Sequence, residues 1–400
     1  MANTYLTISD VTREALVVLH EMLNFIGTIS RQYDSSYAKT GAKIGSSLRI
    51  RLPNKYTVRS GKTFSGQDTT EQAVTLVMAT QKGVDMEGFS SADLALNVDD
   101  FSKRYIEPAM AVLASDIEAD ALTMTQDVYN AVGTPGTIPN SMLTFGMARA
   151  RLNQYLAPKI KKERCVQLES MAMATMVNAY NGLFAPGENI SSQYTEGFIS
   201  ENSGLMWYEN ERVYTHTNGD DVTGAIDDAG SGLVEGMASI NMDALGTTVT
   251  KGSIFTVAGV MAVHPETKAQ YAHEQQFVVT NTPTIASNQG VIEFQPPMYA
   301  AGALKNVSAL PADNDVVTFM GAANGVYDQH LAYHKDAFAF VSADLPVPGG
   351  VHKASRKEYD GVSMRIIQDY VFNSDEIACR IDILYGYKTL RADQAVRITS

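Results

Sequence analysis

Apolar residues recur every three or four positions in two long stretches, and this spacing predicts two amphipathic helices. The first covers residues 9–32, and the second covers residues 102–132 with Pro108 near its first turn. Proline is tolerated there because its missing N–H has no helical partner to lose. The apolar stripe of the second helix contains Ile106, Met110, Leu113, Ile117, Ala121, Met124, Val128 and Ala131. We expect this helix to be a long central element.

Strict alternation of apolar and polar residues marks two strands that bracket a polar stretch. Residues 47–52 alternate arginine with leucine and isoleucine, and residues 73–79 alternate again with Val74, Leu76 and Met78 in register. The simplest arrangement is one long antiparallel hairpin. A lone two-stranded ribbon is only marginally stable in water. We therefore expect the hairpin to be supported by another molecule.

The run Gly61-Lys62-Thr63 near the tip of this hairpin matches the tail of a phosphate-binding loop. The complete loop needs a glycine five positions before the Gly-Lys pair, and it needs a helix immediately afterwards. Tyr56 occupies the glycine position, and residues 64–68 do not begin an amphipathic helix. We therefore interpret the run as part of the polar hairpin and not as a nucleotide site.

The rest of the chain divides into three parts by pattern. Residues 141–205 predict helix, buried strand and helix in turn, and residues 206–325 lose helical periodicity and gain strand-like pieces separated by turns. We expect an all-β module in that second range. Residues 376–386 alternate on both faces and form the clearest strand of the chain. This strand is predicted to pair with residues 363–371.

Composition limits the class of protein. The chain has 400 residues, 45% of them hydrophobic and 19% charged, which is typical of a globular protein with more than one domain. Its net charge of −13 argues against a protein that grips nucleic acid through phosphates. Two cysteines indicate no disulfide framework and fit a reducing cytoplasm. We expect no export signal and no membrane span.

The chain offers no catalytic constellation. His330 and His334 are four apart, but Leu331 stands where a zinc protease helix needs glutamate. The His264-Pro265-Glu266 run lacks the Cys-x-x-Cys pair that would complete a zinc deaminase site. Cys165 and Cys379 lie in apolar surroundings and are predicted to be core residues. We expect no enzyme activity, no cofactor and no metal site.

Three acidic residues on the second helix form a further candidate cluster. Asp116 and Asp120 share one flank, but Glu118 points about 200° away from Asp116 by helical geometry. Because the three carboxylates do not converge, an acid/base or metal site is disfavoured. We interpret them as a solvated or interface flank.

Four segments together resemble the major capsid proteins of tailed bacteriophages, in the short-tailed branch that carries an inserted β domain. They are residues 24–56, 96–122, 330–350 and 379–396. The resemblance covers nearly the whole chain, and its specific part is the order of the elements. One departure is Arg391-Ala392-Asp393, where members of this branch often have Arg-Pro-Glu. This leaves the course of the tail open.

The resemblance implies an α+β fold of the Hong Kong 97 type with an all-β insertion domain. Its parts would be an N-terminal arm (1–46), an extended loop (47–80), a peripheral domain (81–140) with a spine helix (102–132), an axial domain (141–205), a β-rich insertion domain (206–325) and a return to the axial and peripheral domains (326–400). In some relatives a loop lysine crosslinks to a neighbour. Lys55 and Lys62 are available here, but nothing around them marks such a reaction, and we expect none.

The function implied by the resemblance is a structural subunit that self-assembles into the icosahedral head shell around double-stranded DNA. The implied partners are its own copies in hexamers and pentamers, a portal protein and a scaffolding protein, with a decoration protein as a further option. Packaged DNA would lie nearby without sequence-specific binding, and no membrane would be involved. The implied location is the virion capsid, after assembly in the cytoplasm of the bacterial host.

The hairpin supplies the candidate contact residues of this assembly. Arg59 and Lys62 near its tip are expected to pair with carboxylates such as Asp68 or Glu71 of a neighbouring subunit. Exposed pairs of this kind are individually weak, about 0–1 kcal/mol each. Two other functions stay open from the residues alone. They are a head decoration or adhesin protein, and a soluble two-domain hydrolase that uses histidines and aspartates of the β module.

Overall fold

The computed structural model describes most of the chain in segments separated by short gaps. The described residues are 12, 13, 15–17, 19, 23–31, 47–59, 61–64, 66, 71–78, 80–90, 105–160, 162–180, 201–227, 233–359, 361–371 and 376–400. They divide into two compact units. Unit 1 consists of Met1–Ile50, Ala73–Ala121 and Phe338–Lys388, and unit 2 consists of Arg51–Gln72, Leu122–Ala337 and Thr389–Ser400.

The named helices and strands are numbered in chain order. The helices are α1 (Phe25–Thr28), α2 (Glu107–Leu122), α3 (Met142–Gln154) and α4 (Ser170–Tyr180), with short 3₁₀ turns at Thr123–Asp127, Lys335–Ala337 and Ala392–Gln394. The strands of the first half are β1 (Ser47–Arg51), β2 (Ala73–Val77), β3 (Thr80–Ser90), β4 (Ala131–Gly133), β5 (Arg164–Leu168), β6 (Glu201–Asn202), β7 (Leu205–Glu209), β8 (Tyr214–Thr217) and β9 (Thr223–Ile226). Those of the second half are β10 (Met237–Asp243), β11 (Ile254–Val263), β12 (Gln270–Val279), β13 (Gly290–Met298), β14 (Val316–Phe319), β15 (Val326–His334), β16 (Phe338–Ala343), β17 (Lys353–Tyr359), β18 (Val362–Val371), β19 (Glu376–Thr389) and β20 (Ala395–Thr399).

Unit 1 is built on a five-stranded sheet with the long strand β19 at its centre. β19 pairs antiparallel with β18 on one side and with β3 on the other. The pairing of Met364 with Ile383 confirms the predicted partnership of residues 363–371 with residues 376–386. β3 was not predicted, because only Val84 and Met86 carry an apolar alternation there. β1 and β2 form a separate two-stranded sheet, which confirms the two predicted hairpin strands.

The predicted central helix is shorter than its apolar stripe. All eight stripe residues are buried, but the α-helix ends at Leu122 and tightens into the 3₁₀ turn Thr123–Asp127. Val128 is already extended, and its N–H donates to the carbonyl of Thr125. The prediction of a helix over 102–132 is therefore wrong at its end. β-branched threonines favour such a break, and β4 follows because it pairs in parallel with β20.

The predicted N-terminal helix over 9–32 is also not continuous. Helical turns occupy the described positions between Thr12 and Leu19, and the helix is interrupted at Leu23 and Asn24 before α1 begins. Residues 1–11 and 32–46 of the predicted arm lie outside the described part of the chain. Phe25 and Ile26 of α1 are fully buried, so this part of the arm belongs to the core of unit 1.

Unit 2 contains a mixed seven-stranded sheet. Its main order is β4-β20-β15-β5-β7-β6, and β8 pairs with β15. Helices α3 and α4 bury Phe145, Leu152 and Met176 in a core shared with Trp207 of β7. These helices and the buried strand β5 confirm the pattern predicted for residues 141–205.

Unit 2 also contains a closed six-stranded barrel in the order β10-β13-β12-β11-β14-β9. Its interior is filled by Phe255, Phe277, Phe294 and Phe319. Phe255 lies 5.5 to 5.8 Å from the other three rings, measured between centroids. β7 and β8 fall inside the predicted β-rich range 206–325, but they pair into the seven-stranded sheet instead. The barrel itself runs from β9 to β14.

Candidate assembly surface

The loop between β1 and β2 (residues 52–72, here called the assembly loop) is positioned by the two strands at its base. The N–H of Leu52 donates to the carbonyl of Gln72 at 2.8 Å, which extends the pairing by one step. Arg51 and Glu71 face each other across this base at 3.6 Å, with 75% and 54% of their side chains exposed. The predicted contact residue Glu71 therefore has a cationic partner within its own chain.

The tip of the assembly loop is a turn closed by Arg59. The guanidinium donates to the carbonyl oxygens of Gly61 and Thr63, the latter at 2.7 Å. Gly61 has a φ of +94°, which L side chains rarely adopt, so a glycine is needed at this position. Lys62 is exposed at the head of the turn. Asp68, the remaining predicted contact residue, lies outside the described residues.

The same loop exposes apolar side chains that the charged-pair prediction missed. Val58 is 98% exposed and Phe64 is 85% exposed, and Tyr56 beside them is 59% exposed. Single exposed apolar residues are normal, but three large ones within one short loop favour a binding surface. The sequence signal was available, because these three residues interrupt an otherwise polar stretch.

Lysines from the barrel lie near the assembly loop within unit 2. The Nζ of Lys268 donates to the carbonyls of Ala303 and Lys305 at 2.6 and 3.3 Å. Desolvation lowers the pKa of Lys268, and the charges of Lys55 in the loop and of Lys305 lower it further. The loop thus lies close enough to the barrel for its charge to be felt there.

Of the three acidic residues of α2, predicted to form a solvated or interface flank, Asp116 is exposed but Glu118 is not. Glu118 is only 3% exposed, and its carboxylate accepts the backbone N–H groups of Phe25 and Ile26. Because α1 begins at Phe25, the carboxylate satisfies donors that its first turn leaves unpaired. Phe25 and Ile26 of the N-terminal arm contact that side of the helix. Helical geometry alone could not predict where the arm lies.

Asp116 and Asp120 share one lysine of β3. The Nζ of Lys82 lies 2.6 Å from Asp116 and 2.7 Å from Asp120. Desolvation opposes the charged form of Lys82, but the hydrogen bonds and charges of the two carboxylates outweigh it and raise its pKa. The hydroxyl of Tyr385 donates to Asp120 at 2.6 Å. These contacts tie α2 to the sheet of unit 1.

The histidines do not assemble a reactive site in the described part of the chain. His264 accepts the N–H groups of Glu266 and Thr267 at 3.1 Å through Nδ1, so the His-x-Glu run is a turn. Desolvation lowers the pKa of His216, of His273 and of His330 to about 4 in each case. Among the described residues, no group of three metal-ligating side chains converges.

Cys165 and Cys379 are both buried, and desolvation raises the pKa of Cys379 to about 11. Such a thiol is a poor nucleophile, because the thiolate is the reactive form. None of the described helices is long and apolar enough to cross a membrane.

Comparison with known proteins decides the family. The family model described as P22 coat protein, gene protein 5, matches residues 1–398. The chain belongs to this coat protein family. It is a structural major capsid protein that forms the icosahedral shell of a tailed phage. The family match favours a shell subunit over the decoration protein and the hydrolase considered from the residues alone.

Solved structures of phage capsids are among those similar to this coat protein. A structure from Mycobacterium phage Che8 is 12% identical, with a TM-score of 0.45, and covers 95% of this chain and 90% of its own. One from Gordonia phage Cozz is 11% identical, with a TM-score of 0.39 and coverages of 100% and 96%. The capsid of Ralstonia phage GP4 is 7% identical, with a TM-score of 0.41 and coverages of 90% and 84%. No curated protein sequence matches the chain.

Proposed function

We propose that this coat protein has the Hong Kong 97 type fold, with α2 as the spine helix and residues 47–80 as the extended loop. The five-stranded sheet of unit 1, bound to α2 through Lys82 and Tyr385, would form the peripheral domain. The seven-stranded sheet with α3 and α4 would form the axial domain. The closed barrel β9–β14 would be the insertion domain, because it has its own core and its strands pair with one another.

The assembly loop is proposed to lie on a neighbouring copy in the shell. The observation that carries this proposal is the exposure of Val58 and Phe64 in a chain that belongs to a shell-forming family. Covering these side chains removes apolar surface from water, which stabilises the contact by about 25 cal/mol for each Å² buried. Many weak contacts of this kind suffice in a closed shell, because each subunit makes several.

The charged residues of the loop are proposed to set the register of that contact. Lys62 is exposed at the tip, where a carboxylate of the neighbour can reach it. Arg59 shapes the tip turn through Gly61 and Thr63, so its contribution to the neighbour would be indirect. Glu71 and Asp68 are the proposed acceptors on the neighbouring copy. Electrostatic pairing of this type fixes partner and orientation more than it adds affinity.

The wider assembly follows from the same proposal. Copies would form hexamers and pentamers in the cytoplasm of the bacterial host, with a portal protein at one vertex and a scaffolding protein inside. The net charge of −13 would limit adhesion of packaged DNA to the shell, since like charges repel. A decoration protein is a further option on the outer surface.

The loop contact can be tested by the reactivity of a single introduced thiol. Both native cysteines are buried, so Val58→Cys adds one exposed thiol at a 98% exposed position. We expect a maleimide reagent to modify it rapidly in free subunits and at least ten times more slowly in assembled shells. The same shells dissociated with denaturant are the control. Equal rates in shells and free subunits would contradict the proposed loop contact.

A further inference from the structure

A small polar cavity lies in unit 2 where the seven-stranded sheet meets the base of the barrel. It is lined by residues of four strands and four connections, and it admits a molecule about the size of water. Its polar lining residues are His216 of β8, Asn218, Tyr327 and Gln329 of β15, and Arg397 and Thr399 of β20. Gln329 pairs directly with Thr399, and Arg397 lies two residues away on the same sheet face. Gln329 and Arg397 are therefore diagonal neighbours.

Arg397 is a buried cation with an incomplete set of hydrogen bonds. It is 1% exposed, and its two Nη atoms donate to the carbonyls of Gly252 and Gln126 at 2.7 Å each. Its Nε is also buried and has no protein acceptor. The nearby His216 is neutral at neutral pH, because desolvation and the charge of Arg397 lower its pKa to about 4. A residue of the cavity lining thus has one unused donor.

Gln329, which lines the same cavity, has an unused acceptor. Its side chain is 3% exposed, and its Nε2 donates to the carbonyl of Tyr327 at 3.4 Å. This bond fixes the amide orientation, because a flipped amide would oppose two oxygens. The other end of the amide, Oε1, is buried without a protein donor. Buried polar atoms of native proteins are almost always paired, with ordered water as the common partner.

We propose that this cavity is a binding site for one structural water, which accepts from Arg397 Nε and donates to Gln329 Oε1. A halide or other small anion would satisfy the arginine but has no proton to give to the glutamine oxygen. Water does both, and it needs only two to four polar partners in a site of this size. The water would complete a junction that links the 3₁₀ turn after α2, the start of the barrel and the last strand.

The direct test is a density map of assembled shells of the full chain, at a resolution that shows ordered water. We expect a peak within about 2.7–3.2 Å of both Arg397 Nε and Gln329 Oε1. Its disappearance in Gln329→Leu would support the site. A wild-type map without such a peak would overturn the proposal. A peak that becomes denser when chloride is replaced by bromide would also overturn it, since the ligand would then be an anion.

A thermal measurement on the free subunit checks the same site independently. Gln329→Leu should lower the melting temperature by about 2–4 °C, the shift expected for one lost hydrogen-bonding position in a domain of this size. The control is Gln289→Leu, which makes the same change at an exposed position and should leave the melting temperature unchanged. Equal melting temperatures for Gln329→Leu and wild type would count against the bound water.

Discussion

Large apolar side chains are buried in the barrel but exposed in the assembly loop. In the barrel, Phe255 is fully buried among three other phenylalanine rings, and the closed strand order leaves no edge unpaired. In the loop, Phe64 is 85% exposed and its neighbour Val58 is 98% exposed. Both segments belong to unit 2 of one chain. The barrel completes its own core, whereas the loop leaves large apolar side chains exposed.

This difference separates folding from assembly within one subunit. A segment that buries its own apolar residues stabilises the subunit before any partner is present. A segment that exposes them contributes little to the free subunit and gains its stabilisation in the shell. Substitutions in the two segments should therefore change two different measured quantities, the free energy of unfolding and the yield of shells.

The largest effect is expected in the barrel. Phe255→Ala should lower the free energy of unfolding by about 3–5 kcal/mol, because it removes a fully buried ring and leaves a cavity among the remaining three. Urea denaturation of the free subunit, followed by circular dichroism, measures the change. Val291→Ala on β13, at a 56% exposed position, is the control and should change stability by less than about 0.5 kcal/mol. A loss below about 1 kcal/mol for Phe255→Ala would mean that the barrel does not complete its own core.

The next largest effect is expected from acid, which should lower the free energy of unfolding of unit 2. His330 is fully buried, and its pKa is lowered to about 4 by desolvation, whereas an unfolded histidine titrates near about 6.5. The unfolded chain therefore binds the proton first, and stability falls as the pH drops from about 6.5 towards 4. His330 alone should account for about 1–3 kcal/mol of this loss.

The histidine contribution is isolated by comparing two variants across the same pH range. His330→Gln should show a shallower fall in the urea midpoint between pH 7 and pH 4 than wild type. His352→Gln, at an exposed position, should follow the wild-type curve. If both variants keep the full wild-type slope, His330 is not a cause of acid sensitivity.

In the assembly loop, the substitution made at Phe255 should have little effect on folding. Phe64→Ala should change the free energy of unfolding by less than about 0.5 kcal/mol, because the ring is 85% exposed in the free subunit. The yield of shells should fall, because the variant loses apolar surface that the neighbour would cover. Sedimentation after an assembly reaction measures the yield. Unchanged yield together with unchanged stability would remove Phe64 from the proposed contact.

A small effect is expected at the base of the loop. Reversing both charges of the exposed pair, with Arg51→Glu and Glu71→Arg, should change subunit stability by about 0–1 kcal/mol. The double reversal keeps the attraction within the chain, whereas Glu71→Arg alone removes it. If the single variant reduces shell yield and the double variant restores it, Glu71 serves its own loop. If the double variant does not restore the shell yield, Glu71 contacts a neighbouring subunit as proposed.

Sequence periodicity predicted which segments form helices and strands better than it predicted where those elements end. The stripe of α2 was correctly predicted to be buried, but parallel pairing of β4 with β20 ends the helical region earlier than the stripe suggests. β3 was missed because its partner β19 is far away in sequence, and long-range pairing leaves a weak local signal. The closure of the barrel was likewise beyond local pattern, since β9 pairs with the distant β14.

The strands that bound the assembly loop were predicted, but the contacts inside the loop were not. Lys62 is exposed at the tip of the loop. The partners of Arg59 and Glu71 within the loop could not be predicted, because they depend on how the tip and base turn back. Burial of Glu118 was missed for a similar reason, since the arm that covers it is distant in sequence.

The central claim is that the assembly loop acts between subunits and not within one. Deletion of residues 59–69 tests it most directly, with electron microscopy and urea denaturation applied to the same preparation. We predict a soluble subunit whose unfolding midpoint stays close to that of the wild type and which forms no stable shells. Normal shells from the deletion variant, or a subunit that no longer folds, would contradict the account.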